Sequence, residues 1–277
     1  MLSLHTNNAA LSAQNAISKT QSNLSTSMTR LSTGYRINSA MDDAAGLQIA
    51  SRLKAQTSGM SVAMRNTQNA TAMLQTAEGA LDEVSNILVR MKDLATQAAD
   101  SGSTEKDKTA MNAEYTELAA ELVNIMDNTT FGGAKLLDAT DGTLADEMTF
   151  QIGAGSDETM VVDVGTALGK VQGSVDAPGD LASAANATTA IGALTTAIDN
   201  VGELRSALGA SANRLDHVYN NLSNISTNTK TATGLIMDVD FATESANMTS
   251  SQMLLQAGTA MLKQSNSMSS MVMSLLQ

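Results

Sequence analysis

The sequence predicts a mainly α-helical protein: long antiparallel helices in a coiled-coil-like bundle, a small β-hairpin region, and N- and C-terminal helices paired with each other. Three observations carry that expectation. Only 2% of the 277 residues are aromatic, with no Trp, a single Pro (Pro178) and 18 Met. Straight-chain residues and Ala lose little rotamer freedom in a helix, whereas strands favour aromatic and β-branched side chains. Apolar residues then recur in steps of three and four over long stretches, the spacing of one helix face. Finally, both ends carry apolar residues seven apart in a background of Ser, Thr, Asn and Gln.

The first row is Ala10, Ile17, Leu24 and Leu31. After it, Gly34-Tyr35-Arg36 reads as a turn, and the acidic pair Asp42-Asp43 precedes AAGLQIASRLKAQ. Negative charge complements the exposed N–H groups at a helix N-terminus. The pair lacks a neighbouring His or third carboxylate, so it reads as a helix start and not as a catalytic or metal site. A seam follows through Leu74, Ala77, Leu81, Val84, Leu88, Met91, Ala95 and Ala98. SGSTEKD (101–107) breaks it, and Ser103 or Thr104 ahead of Glu105 and Asp107 suits a new helix start. The pattern resumes at Met111, Tyr115, Leu118, Leu122 and Ile125, and stops before FGG (131–133).

From 131 to 190 the composition shifts. EMTFQI (147–152) and TMVVDV (159–164) flank the turn GAGSDE, which predicts a β-hairpin. The Gly/Ala/Ser/Thr-rich stretch 165–189 reads as loop. The longest seam runs from Leu194 through Val201, Leu208, Leu215, Leu222 and Ile236 to Val239. A last row, Leu254, Met261, Met268 and Leu275, ends the chain. The expected organisation is a terminal-helix domain (1–43 plus 236–277), a helical bundle (44–130 plus 190–235), and a hairpin-and-loop segment (131–189). Helices with such thin stripes order against each other and against neighbouring molecules, not alone.

Composition removes several function classes. With no Cys, neither disulfides nor thiolate metal sites form, and His5 and His217 are too few for a His-rich centre or a Ser-His-Asp triad. DATDGTLADE (138–147) lacks the acidic phasing of a calcium loop and reads as a turn. GAGSDE lacks the Lys of a phosphate-cradling loop. No catalytic residue, metal or cofactor is expected. A net charge of −12 argues against nucleic acid. No run of 18 apolar residues suggests membrane insertion, and no basic stretch followed by an apolar core suggests a cleaved signal peptide. All 28 acidic residues lie between Asp42 and Glu244. The weakly charged ends are therefore where function is to be sought.

RLSTGYRINSAMDDAAGLQIA (30–50) resembles the signature of bacterial flagellins, the subunits of the flagellar filament. LHTNNAALSAQNAI (4–17), ALDEVSNILVRMKDLATQAAD (80–100), FGGAKLLD (131–138), IMDVDFATESANMTSSQMLLQAGTAMLKQSN (236–266) and the ending MVMSLLQ are similar to the same family. Met41 and Val89 depart from it, standing where a basic residue and a Gln are common, and Met is unusually frequent near the C-terminus.

The resemblance implies a structural protein, not an enzyme, that polymerises into a hollow helical filament for swimming. The terminal helices would form its core, through Leu4, Leu11, Ile17, Leu24, Met28, Leu31, Leu254, Met261, Met268, Met271 and Leu275. Gly34, Asp42 and Asp43 would form the bend between the innermost layer and the next. Arg90, Leu94 and Glu114 would belong to a surface used between subunits and sensed by host immune receptors. Further implied partners are other copies of the chain, an export chaperone and the flagellar export apparatus, and the filament cap and hook-junction proteins. The implied location is extracellular, reached without a cleaved signal. A hook–filament junction protein and a secreted coiled-coil binding protein are the alternatives.

Overall fold

A computed structural model describes residues 7–275, with side chains as far as Met268. Its elements are α1 (Asn8–Thr33), α2 (Ala44–Ala99), α3 (Glu105–Asn128), β1 (Thr130–Phe131), β2 (Ala134–Lys135), β3 (Met148–Gln151), β4 (Thr159–Val162), α4 (Gly165–Val175), α5 (Ala184–Met237) and α6 (Phe241–Leu275). They divide into two compact units, residues 1–55 with 227–277, and residues 56–226. The unit boundaries thus fall inside α2 and α5, not at the ends of helices.

The larger unit holds the hydrophobic core. Every residue of the first seam, Leu74 to Ala98, is buried, and Leu194, Val201, Leu204, Leu208 and Leu215 of α5 face the same interior. From α3 come Met111, Tyr115, Leu122 and Met126, with Leu118 and Ile125 at its margin. The break between α2 and α3 is held locally. Ser103 Oγ donates to Gln97 O, and Thr104 and Asp107 form a reciprocal capping box that opens α3.

Two hairpins extend this core. Phe131 pairs with Ala134 across the two-residue Gly132-Gly133 turn, a short hairpin that the sequence reading passed over. In the second, Met148 pairs with Val162 and Phe150 with Met160, as the alternation predicts. Met160 and Val162 are buried, and Met148 and Phe150 pack at the core's edge.

Residues 165–175 and 184–189 correct the sequence reading, because they are helical, in α4 and at the start of α5, where a loop is expected. Leu168, Val171 and Val175 of α4 lie three and four apart and are buried. Tertiary burial outweighs the poor helix propensity of the three glycines in this segment.

The link between α4 and α5 is fastened to α3. The phenol of Tyr115 donates to Pro178 O, and Asn112 Oδ1 accepts from Leu181 N at 2.7 Å. Burial pushes the Tyr115 phenol up to about 12. The neutral form is favoured in the fold, so this stabilisation is complete below the ordinary value of 10 and is lost as pH climbs through about 12. Replacing Tyr115 with Phe leaves the Pro178 carbonyl without that donor. Such a loss costs about 1 kcal/mol, to be read as a lower denaturant midpoint at neutral pH and a smaller drop in stability at alkaline pH.

In the smaller unit α1 and α6 run antiparallel, as expected for paired termini. Asn7 meets Ser265, Ile17 meets Gly258, and Arg30 meets Glu244.

Candidate assembly surface on the terminal helices

Helix α1 is opened by Asn7, whose Oδ1 accepts from Ala10 N at 3.1 Å. The Asn7 Nδ2 donates to both the carbonyl and the hydroxyl of Ser265, at 3.3 and 3.2 Å, which pins that end of the pair. Its other end closes on Gly34, at φ 76, whose N–H donates to Arg30 O. Glycine alone takes that left-handed geometry without strain.

The inward face of α1 is Ala10, Ile17, Leu24 and Leu31, with Leu24 and Ser27 buried. Opposite it, α6 turns in Glu244, Met248, Ser251, Leu255, Gly258, Leu262 and Ser265. At Gly258 the helices come so close that a Cβ would sit 2.9 Å from Ile17 Cγ1. The Arg30 guanidinium lies 3.7 Å from the nearly buried Glu244 carboxylate.

The sequence singled out a different row of α6. Leu254, Met261 and Met268 are 60%, 68% and 56% exposed, and Leu11 and Met28 of α1 are about half exposed. Of the other residues named for assembly, Ile17 and Leu31 are half-buried. Leu4 lies outside the described residues, as do the side chains of Met271 and Leu275. A seven-residue step through Met248, Leu255 and Leu262 marks the inward row in the sequence, but Ser and Gly fill its intervening positions. The greasier outward row masks it.

Four threonines of α1 bond back to their own helix. The hydroxyls of Thr20, Thr26, Thr29 and Thr33 donate to the carbonyls of Ala16, Ser22, Ser25 and Thr29.

Two breaks, after α1 and before α6, are stitched by backbone. Tyr35 bridges Asp238 in antiparallel fashion, with Arg36 N donating to Met237 O and Val239 N to Gly34 O. Arg36 Nη2 adds a bond to Ile236 O at 2.9 Å. The acidic pair has divided work. Asp43 Oδ1 accepts from Gly46 N at 2.8 Å, meeting a free donor of the first turn of α2. Asp42 Oδ2 instead gathers Asn38 N, Ser39 N and Ser39 Oγ, which closes the loop between α1 and α2.

The Ser39 and Asn38 amides hold the Asp42 carboxyl below its ordinary value. A lowered value means that its contribution is present above the unfolded value and disappears as pH falls through the folded one. The Ser39 amide is therefore expected to lose exchange protection on acidification below about pH 4. In Asp42→Asn the exchange should lack that step, which amide NMR across an acid titration reads directly.

On the larger unit, Arg90 grips Glu114 Oε1 through Nε at 3.0 Å and Nη2 at 2.6 Å, and both side chains are about half exposed. Leu94 is not on that surface. It is 3% exposed, three residues after Met91 on the same inward stripe. Asp138, in the segment read as a turn, spends its oxygens on Thr140 N and Oγ1, Asp141 N and Lys135 Nζ, which together drive its carboxyl well below the usual range.

Residues 4–141 match the bacterial flagellin N-terminal helical region, and residues 191–276 match the bacterial flagellin C-terminal helical region. The chain belongs to the bacterial flagellin family. The two flagellin regions leave 142–190 unmatched between them, the span that holds β3, β4 and α4. A flagellin of Halalkalibacterium halodurans is 41% identical over 266 residues, covering 90% of each chain. B-type flagellin of Pseudomonas aeruginosa is 46% identical over 173 residues, 62% of this chain but 35% of that longer protein. Among solved structures, the crystal structure of Bacillus cereus flagellin is similar at a TM-score of 0.51 and 36% identity, over 57% of this chain and 88% of that one. A putative flagellar hook-associated protein from Vibrio parahaemolyticus shares the fold, with a TM-score of 0.57 at 18% identity over 71% of this chain and 99% of its own.

Proposed function

We propose that this chain adds copy upon copy to a growing end and so builds the hollow helical flagellar filament used for swimming, with α1 and α6 in its inner layer. As a flagellin it is a structural protein and not an enzyme. One observation supports the role of the terminal helices. Leu24 is the only buried apolar residue that the described side chains of α1 and α6 provide. A fully buried Leu contributes about 1.5–3 kcal/mol. Fixing the backbone of each residue costs about 1–2 kcal/mol. Two helices of 26 and 35 residues need far more apolar contact than they give each other. The exposed Leu11, Met28, Leu254, Met261 and Met268 supply it when neighbouring copies cover them. Contact between unlike surfaces that does not close on itself extends into an open helix.

The same reading takes in the remaining partners. An export chaperone and export apparatus would handle the chain before assembly, the cap and hook-junction proteins would meet it at the filament's ends, and the filament would lie outside the cell. The exposed Arg90–Glu114 pair would serve contact between subunits and, secondarily, host immune receptors. The domain roles follow suit: residues 1–43 with 236–277 carry assembly, and residues 131–189 are the reduced variable segment.

The deciding experiment adds purified chain to sheared filament fragments and follows growth by electron microscopy. Long fibres support the proposal, short caps favour a junction protein, and the absence of polymer overturns it. Growth is also expected to quicken with added salt. The smaller unit carries seven basic against five acidic residues, whereas the larger carries nine against 23, a net of −14. Like-charged units crowded together repel, and about 0.1 M salt cuts the reach of that repulsion to about 10 Å. A growth rate unchanged between low and moderate salt would contradict it.

A further inference from the structure

The chain has 18 Met and no Cys, so thioethers are its only sulfur and no thiol competes for an oxidant. Their placement is uneven. Met91, Met126 and Met160 in the larger unit are at most 2% exposed. Met253, Met261 and Met268 on α6 are 60%, 68% and 56% exposed, in the helix face that carries Leu254. The inward face of α6 is occupied by other residues, so these three thioethers are not needed to hold α6 on α1. They are the flexible, polarizable part of a surface left largely exposed among the described residues.

We propose that Met253, Met261 and Met268 form a reversible oxidation site that decides whether a copy can join the filament. This rests on the reading of the terminal helices as the assembly surface. The oxidant is a peroxide. A sulfur lone pair attacks one peroxide oxygen, the O–O bond breaks, an S–O bond forms, and the second oxygen leaves as water. Sulfur loses two electrons and the peroxide gains them. A flexible apolar side chain thereby becomes a polar sulfoxide, whose oxygen must be desolvated if a neighbouring copy covers it. Three such groups on one face disqualify the copy. A methionine sulfoxide reductase reverses the change: two thiols close to a disulfide and the oxygen departs as water. Copies already in the filament are shielded, because the same face is covered.

The test uses the full chain, oxidised with hydrogen peroxide to partial conversion and then offered to filament seeds. Polymer and unassembled chain are separated by sedimentation, and mass spectrometry measures the sulfoxide at each methionine. Sulfoxide at Met253, Met261 and Met268 is expected to be depleted about tenfold or more in the polymer, with little oxidation at Met91 and Met126 in either fraction. Reductase treatment of the excluded fraction should restore its growth. The variant M28L/M253L/M261L/M268L, which keeps the apolar stripe and also removes the exposed thioether of α1, should grow after a peroxide dose that halts the parent chain. Equal sulfoxide in both fractions, or growth of the parent with all three positions oxidised, overturns the proposal. Untreated chain that never elongates seeds would instead overturn the assembly reading itself.

Discussion

Removal of residues 245–277 is expected to abolish filament growth while leaving a folded protein. The main hydrophobic cluster is built from residues 70–215 and a smaller one from Met60, Ala63 and Leu222, so the packing of both survives the cut. What disappears is the stripe from Met248 to Ser265 that faces α1, together with the exposed Leu254, Met261 and Met268. Helix α1 then has no partner, and a lone 26-residue helix with a thin apolar stripe is marginal in water. Far-ultraviolet circular dichroism should lose more helix than the deleted residues account for. The thermal transition of the larger unit should remain cooperative at nearly the parent temperature. Seeds mixed with the truncated chain should not elongate. Normal filaments from that chain would refute the assignment of α6 to assembly.

Substitution of Leu81 by Ala is expected to be the most damaging single change of side chain considered for the larger unit. Leu81 is 0% exposed in the middle of the α2 seam, within the cluster that also takes in Tyr115, Leu122 and Leu204. Truncating a fully enclosed Leu costs about 2–5 kcal/mol, the span reflecting how far the surroundings collapse into the space. A domain's whole stability is about 5–15 kcal/mol, so the denaturant midpoint should fall steeply with an unchanged slope. Leu254→Ala offers the contrast. Its side chain is 60% exposed in the single chain, so the midpoint should hardly move while seeded growth slows. The pair of variants separates folding of the larger unit from assembly through the terminal helices. Comparable losses of midpoint in both would contradict the division.

Helices with strong stripes were legible in the sequence. Every position from Leu74 to Ala98 in the three-four step is buried, because a regular apolar period in a long helix has only one face to offer a core. The hairpin at 148–162 was legible from alternation. Helix α4 was not, since its three core residues sit among Gly, Ser and Gln, and only their contacts with the rest of the core overrule that composition. The Thr130–Lys135 hairpin carries a two-residue Gly-Gly turn, but strands only two residues long offer no alternation to read.

On the terminal helices the sequence indicated the outward row of α6 more clearly than the inward one. Leu254, Met261 and Met268 form an unbroken seven-residue apolar row, whereas the contact with α1 alternates Met248, Leu255 and Leu262 with Ser251, Gly258 and Ser265, small enough to let the backbones approach. Leu94 shows the converse limit. A motif places a residue in a region, but whether its side chain reaches solvent depends on the helix phase set by Met91 and Ala95.

The threonine hydroxyls of α1 have a consequence for how such a helix tolerates company. Each one already donates its proton to a carbonyl one turn back, so it demands nothing of the solvent beyond what its remaining lone pairs accept. These four hydroxyls are thus hydrophilic enough to help keep an unassembled strand dispersed, yet each can be dried without becoming an orphaned donor. Reversible drying of that kind lets a rod be sealed against water over its whole length by residues that no hydropathy scale would rank as sticky.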